Sequence, residues 1–298
     1  MADVLVTNEI AIMNQRKNIR LVLLMMLAVV FLLPGEADAR TKKKEQAKVP
    51  EIMSQWNGKK VAYLGDSITD ANQLNWQNVF WNFLKDILGI EPYVYGINGH
   101  QMNQIIGQAE KLEAEHGQDV DAIIVFVGTN DYNAHLPIGE WYEEKAERTF
   151  DDGPIEVTRK HRVMNTDEST FCGRTNNVMS YLKHHFPTKQ IIFLTPLHRG
   201  YATFGDKNIQ PDESFANSLG YYIDDYVQAI REAGSLWAIP VIDLFTISGL
   251  YPLEKEQLVY FRNPERDALH PNTEGHRRMA YAIAYQLLGY PASFDFAE

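Results

Sequence analysis

Near-continuous apolar runs, separated by helical patterns, constrain this chain most. Asp121-Ala122-Ile123-Ile124-Val125-Phe126-Val127 is the strongest run, and Gln190-Ile191-Ile192-Phe193-Leu194 repeats it. A strand with one wet face alternates apolar and polar residues, so a strand without alternation belongs in a sheet covered on both faces. Val61-Ala62-Tyr63-Leu64, ended by Gly65, and residues 92–97 and 239–244 supply three further strands. Between them, Trp76, Val79, Phe80, Phe83, Leu84 and Ile87 recur at helical spacing, a stripe that would face a sheet. Residues 102–115, 176–185, 213–233 and 273–288 also read as helices. This alternation predicts an α/β fold, a three-layer α/β/α sandwich on a mostly parallel five-stranded sheet. The 298 residues leave room for one large domain over 60–290.

The N-terminus reads as an export signal. Arg16, Lys17 and Arg20 precede 13 apolar residues at 21–33, Pro34-Gly35 ends the run, and Ala37-Asp38-Ala39 offers a cleavage site. A membrane span needs about 20 apolar residues. The expectation is therefore residues 1–39 as N-terminal extension and signal peptide, cleavage after Ala39, and no stable membrane insertion afterwards. The mature protein would be periplasmic or extracellular. Residues 1–12 carry Asp3 and Glu9 and no basic residue, so Met13 competes with Met1 as the translation start. Residues 40–59 form a polar lead-in.

The net charge of -11 argues against a nucleic-acid surface. Cys172 is the sole cysteine, which excludes an intrachain disulfide and a cysteine-built zinc site, and it reads as a packed thiol. His184-His185 reads as a helix end. The chain has no HExxH, glycine-rich phosphate loop or Walker lysine, so no metal or cofactor is expected.

Three loop segments carry chemistry. Gly65-Asp66-Ser67-Ile68-Thr69 follows the first strand, Gly128-Thr129-Asn130-Asp131 follows the third, and Asp267-Ala268-Leu269-His270 precedes the last helix. Ligands of open parallel sheets bind beyond the carboxyl ends of the strands, where these segments would emerge. A serine hydroxyl needs a base, and His270, with Asp267 three residues before it to hold its other ring nitrogen, is the best base in the chain. Asn130 can donate a side-chain N–H to a developing oxyanion, and Gly99, in Asn98-Gly99-His100, can donate an unobstructed backbone N–H. Gly96 is a rival to Gly99. Taken alone, Ser67 would also suit a helix N-cap, with Asp70 three residues on.

These blocks resemble the SGNH hydrolase superfamily, the GDSL esterases and lipases, over about 60–290. The resemblance implies a flavodoxin-like sheet, Ser67 as nucleophile, His270 as base and Asp267 as the orienting acid. It also implies an oxyanion hole from the Ser67 N–H, the Gly99 N–H and the Asn130 side chain. The family's usual Leu is Ile68 here, and Asn98 stands where a serine is usual.

Residues 132–175 depart most from a plain α/β rhythm, since such connections are normally far shorter. This insertion is expected to hold a small helix near 138–148 and a hairpin near 150–163. It would rise by the site as a lid or substrate wall using Trp141 and Tyr142. The expected reaction is hydrolysis of an acyl, foremost acetyl, ester on a carbohydrate, with Trp56 and Trp237 as further candidate sugar platforms. Alternatives are a lipid or general carboxylester hydrolase, and an inactive glycan-binding module.

Overall fold

The computed structural model describes residues 54–294. The expected signal segment and most of the lead-in lie outside them. Five parallel strands form the central sheet in the order β2-β1-β3-β6-β9. They are β1 (Lys60–Gly65), β2 (Glu91–Val94), β3 (Ala122–Phe126), β6 (Gln190–Leu194) and β9 (Val241–Ile242). Every residue of β3 and β6 is buried, as expected for strands covered on both faces.

Period-two side-chain alternation divides the strand residues between two cores. Val61, Tyr63, Ile124, Phe126 and Ile192 pack with α1 (Phe80–Leu88) and, at the chain's end, α7 (Thr273–Leu287). Ala62, Leu64, Ile123, Val125 and Phe193 face the other way. They meet α2 (Ile105–His116), α4 (Phe171–His185) and α5 (Ile223–Trp237). From β1 the chain moves outward to β2 and then returns across β1 to β3. The winding direction thus reverses between β1 and β3, and a crevice opens at their carboxyl ends.

Two smaller sheets complete the fold. The antiparallel sheet β10-β11-β7-β8 combines β7 (Ala202–Thr203), β8 (Ile209–Gln210), β10 (Phe261–Asn263) and β11 (Asp267–Pro271). It was not expected from the sequence, because strands of two to five residues carry almost no periodicity. The third sheet is a hairpin of β4 (Tyr142–Phe150) and β5 (Glu156–Met164).

Three local readings need correction. The helix expected near 138–148 is strand β4, because its residues pair one to one with β5 from Tyr142↔Met164 to Phe150↔Glu156. Trp76 is not on the α1 stripe: it ends the 3-10 helix Ala71–Asn75, before α1 begins at Phe80, and is 62% exposed. The helix expected from 213 starts only at Ile223, and Leu219 and Tyr222 stand exposed before it. Asn217 explains that stop, since its side chain accepts the N–H groups of Leu219 and Tyr221 and diverts the backbone into a loop.

Candidate active site

The turn after β1 is built around Asp66. Its carbonyl accepts the N–H groups of Thr69 and Asp70, both at 3.1 Å, and its Oδ1 accepts that of Ile68 at 3.0 Å. Gly65 is required there, because a Cβ would lie 2.5 Å from the Phe126 carbonyl oxygen. Among the described residues nothing accepts the N–H of Ser67. Asp70, rather than Ser67, caps the 3-10 helix that follows. The Ser67 hydroxyl oxygen instead lies 2.8 Å from Nε2 of His270.

His270 and Asp267 sit on β11, and Asn272 then caps α7 by accepting the N–H groups of Glu274 and Gly275. This cap fixes where the strand ends and the helix begins. Asp267 lies 2.9 Å (Oδ1) and 3.1 Å (Oδ2) from His270 Nδ1, and its Oδ1 also accepts the backbone N–H of His270 at 3.0 Å. Burial works against the Asp267 charge, but its hydrogen bonds to His270 and the nearby Arg262 guanidinium prevail and hold its carboxyl below the usual range. With Asp267 accepting the Nδ1–H, Nε2 is left as the acceptor for the serine proton.

Asn130 stands in α3 (Thr129–Asn133), the short helix after β3. It donates one amide hydrogen to the His100 carbonyl at 3.0 Å, which leaves the other for a ligand. Gly99 has φ of +79° and empty space where a Cβ would be, and no described residue accepts its N–H. At Gly96, by contrast, a Cβ would collide with Thr69. Gly96 is therefore a packing position, whereas Gly99 lines a cleft with Ser67, Asn130 and His270.

A polar frame that sequence reasoning missed holds these loops together. Gln108, buried on α2, accepts the Gly65 N–H and donates to the Gly65 carbonyl, both at 2.8 Å. Its second amide hydrogen faces His100 Nδ1 at 2.9 Å, so the nucleophile turn and the Gly99 loop share one clamp. A glutamine on the apolar side of a helix was the available signal. Gln73 donates to the Ser67 carbonyl and accepts from Arg262, whose Nη1 lies 3.9 Å from Asp267. Asp131, beside Asn130, accepts the Met102 N–H and pairs with Arg174, yet burial lifts its carboxyl to about 7.

The cleft holds about 290 Å³. Besides Ser67, Gly99, Asn130 and His270, it is lined by Asp70, Asn72, Gln73, Trp76 and Arg262, which touch one another in part, and by Asn98, Phe204, Asn208, Gln210 and Leu269. None of its lining residues comes from 132–175. Trp141 donates to Glu232 of α5 at 2.8 Å, and the Tyr142 ring lies under Arg162. The structure thus places neither residue of the expected substrate wall in the cleft. Trp56 is buried against the Leu287 carbonyl, and Trp237 bonds Asn176. Their indole N–H groups are satisfied inside the fold, which leaves Trp76 and Phe204 as the aromatic surfaces of the cleft.

The wall at 208–210 has its own support. Arg199 is 1% exposed and donates to Thr129, Asn133 and Gln210 at 3.1, 2.6 and 2.9 Å, and Gln210 donates to Asn208 at 2.9 Å. The guanidinium also covers the Tyr132 ring at 5.0 Å. Burial without a bonded carboxylate lowers its pKa to about 10. Cys172 is buried, and burial pushes its thiol up to about 12. No group of three or more His, Cys, Asp or Glu among the described residues could hold a metal ion, and no described helix is long and apolar enough to cross a membrane.

The sequence pattern of the GDSL-like Lipase/Acylhydrolase family matches residues 63–278. The chain belongs to this family. It is a carboxylic ester hydrolase, and its central sheet is the SGNH hydrolase fold. A solved protein from Lactobacillus plantarum is 26% identical over 78% of this chain and 98% of its own, with a TM-score of 0.61. A possible lipase from Chitinophaga pinensis is 21% identical over 77% of this chain and 98% of its own, with a TM-score of 0.56. No curated protein matches the chain.

Proposed function

We propose that this hydrolase is an exported serine esterase that removes acetyl groups from carbohydrate. The observation that carries the mechanism is the continuous path from the Ser67 hydroxyl through His270 to Asp267, at 2.8 and 2.9 Å. Ser67 Oγ attacks the ester carbonyl carbon while its proton passes to His270 Nε2. The tetrahedral oxyanion takes hydrogen bonds from the Ser67 N–H, the Gly99 N–H and the free Asn130 amide hydrogen. The C–O bond to the leaving alcohol breaks as His270 returns the proton to it, leaving acyl-Ser67. Water, deprotonated by His270, then attacks the acyl carbon and releases the acid and Ser67.

The cleft supports the carbohydrate reading. Asn72, Asn98, Asn208 and Gln210 bring carboxamide groups to a groove that also holds Trp76 and Phe204. Amides matched to hydroxyls, with a flat ring nearby, suit a sugar better than a long acyl chain, which needs a continuous apolar channel. The basic segment, 13-residue apolar run and Ala37-Asp38-Ala39 support export. A panel of acyl lengths and acetylated oligosaccharides tests the substrate. Preference for octanoyl over acetyl esters would favour a lipid hydrolase, and full activity of Ser67→Ala would remove the mechanism. N-terminal sequencing of cell-derived protein should find Arg40 first.

A further inference from the structure

The β4–β5 hairpin contributes nothing to the cleft and exposes eight of the nine residues of β4. A two-stranded ribbon is marginal by itself, and its outer edges present unpaired backbone groups. At the ribbon's two ends, Asn165 N–H bonds the Trp141 carbonyl and Asp151 N–H bonds the Ile155 carbonyl. Antiparallel bonding alternates, so the odd-numbered residues of β4 face β5. Tyr142, Glu144, Ala146, Arg148 and Phe150 therefore aim N–H and C=O at the open edge.

The sequence of that edge, Tyr-Glu-Glu-Lys-Ala-Glu-Arg-Thr-Phe, is complementary to itself when reversed about Ala146. We propose that β4 pairs antiparallel with β4 of a second copy of this chain, across a two-fold axis at Ala146. Tyr142 then meets Phe150 of the other copy, Glu144 meets Arg148, Lys145 meets Glu147 and Ala146 meets itself. Aromatic and opposite-charge cross-strand pairs are the stabilising ones. The outward groups join in about ten main-chain bonds, and the ribbons become one four-stranded sheet.

The register is specific. Moving the axis to 144, 145, 147 or 148 puts Glu144, Lys145, Glu147 or Arg148 opposite its own copy. Strand β5 lacks this property: an axis at its centre sets Lys160 against Lys160 and Arg159 against His161. An isologous contact of this kind closes as a dimer instead of growing into a fibre.

Sedimentation equilibrium of the natively processed protein across about 1–100 µM should give a mass rising to that of two chains. Ala146→Pro removes an outward N–H without breaking a bond inside the ribbon, and should leave a monomer that still hydrolyses a small acetyl ester. Lys145→Glu should weaken the dimer at least tenfold, and Lys145→Glu with Glu147→Lys should restore it. Ala146→Cys should cross-link under oxidation, because hydrogen-bonded antiparallel pairs have Cα atoms about 5.5 Å apart, within disulfide range. Lys160→Cys should not. A monomer throughout the range overturns the proposal. So does a dimer that survives Ala146→Pro and fails to cross-link at 146, which would place the contact elsewhere, for example on the chain outside 54–294.

Discussion

Replacing Asn130 by alanine tests the oxyanion assignment and the loop support at once. The structure gives the side chain two tasks: one amide hydrogen holds the His100 carbonyl at 3.0 Å, and the other faces the cleft. Loss of a single oxyanion donor lowers kcat by about 10²–10³, roughly 2.7–4 kcal/mol. Loss of the bond to His100 also frees the residue following Gly99, so the second donor is less well held. The expected effect therefore lies at the upper end, about a 10³-fold fall in kcat, while KM changes less than about threefold because the ground-state carbonyl uses these donors weakly. The released carbonyl can turn to water, so stability should fall by only about 1 kcal/mol. The assay is steady-state hydrolysis of a chromogenic acetyl ester, with urea unfolding of both proteins in parallel. A folded Asn130→Ala that keeps more than a tenth of wild-type kcat refutes the assignment. A rise in KM at constant kcat would mean that Asn130 only binds substrate.

Three other outcomes follow from the frame around the site. Gln108→Ala leaves the Gly65 N–H without its partner, while the Gly65 carbonyl keeps the Ile97 N–H, and should lower unfolding stability by about 2 kcal/mol and kcat at least tenfold; unchanged values would mean that the turn holds itself. Burial first, and the Asp131 charge second, raise the Asp66 carboxyl to about 7, against about 3.9 unfolded. A raised value stabilises fully below about pH 4 and is lost as pH rises through 7, so the stability of wild type relative to Asp66→Asn should fall between pH 4 and 8 in urea titrations. A relative gain over that range would contradict the burial argument. Cys172, buried with its thiol pushed up to about 12, should resist a disulfide reagent at pH 8 until urea unfolds the chain; fast labelling of native protein would contradict its placement.

What was legible in the sequence was whatever local chemistry alone dictates. The central strands announced themselves because burial on both faces removes alternation, and β6 falls on residues 190–194 as expected. Ser67, Asn130, Asp267 and His270 stood out because a nucleophile, a donor, an acid and a base each need a particular atom at a strand end. The cleft wall had no such signal. Asn208 and Gln210 are ordinary polar residues until Arg199, itself held by Thr129 and Asn133, fixes Gln210 in place. The aromatic residues show the same limit. Trp141 and Trp76 look alike in sequence, yet Trp141 is claimed by Glu232 on α5, while Trp76 has its ring 5.8 Å from Arg262 at the mouth of the cleft. Which indole lines the cleft depends on which helix offers its N–H a partner, a relation between segments distant in the chain. The insertion misled for a related reason. Residues 142–150 are dense in Glu, Lys and Arg, which propensity assigns to helix, and cross-strand pairing with an equally charged partner overrode that preference. The charges that favour a helix by propensity are the ones that, in the proposed pairing, fit β4 to a second copy of itself.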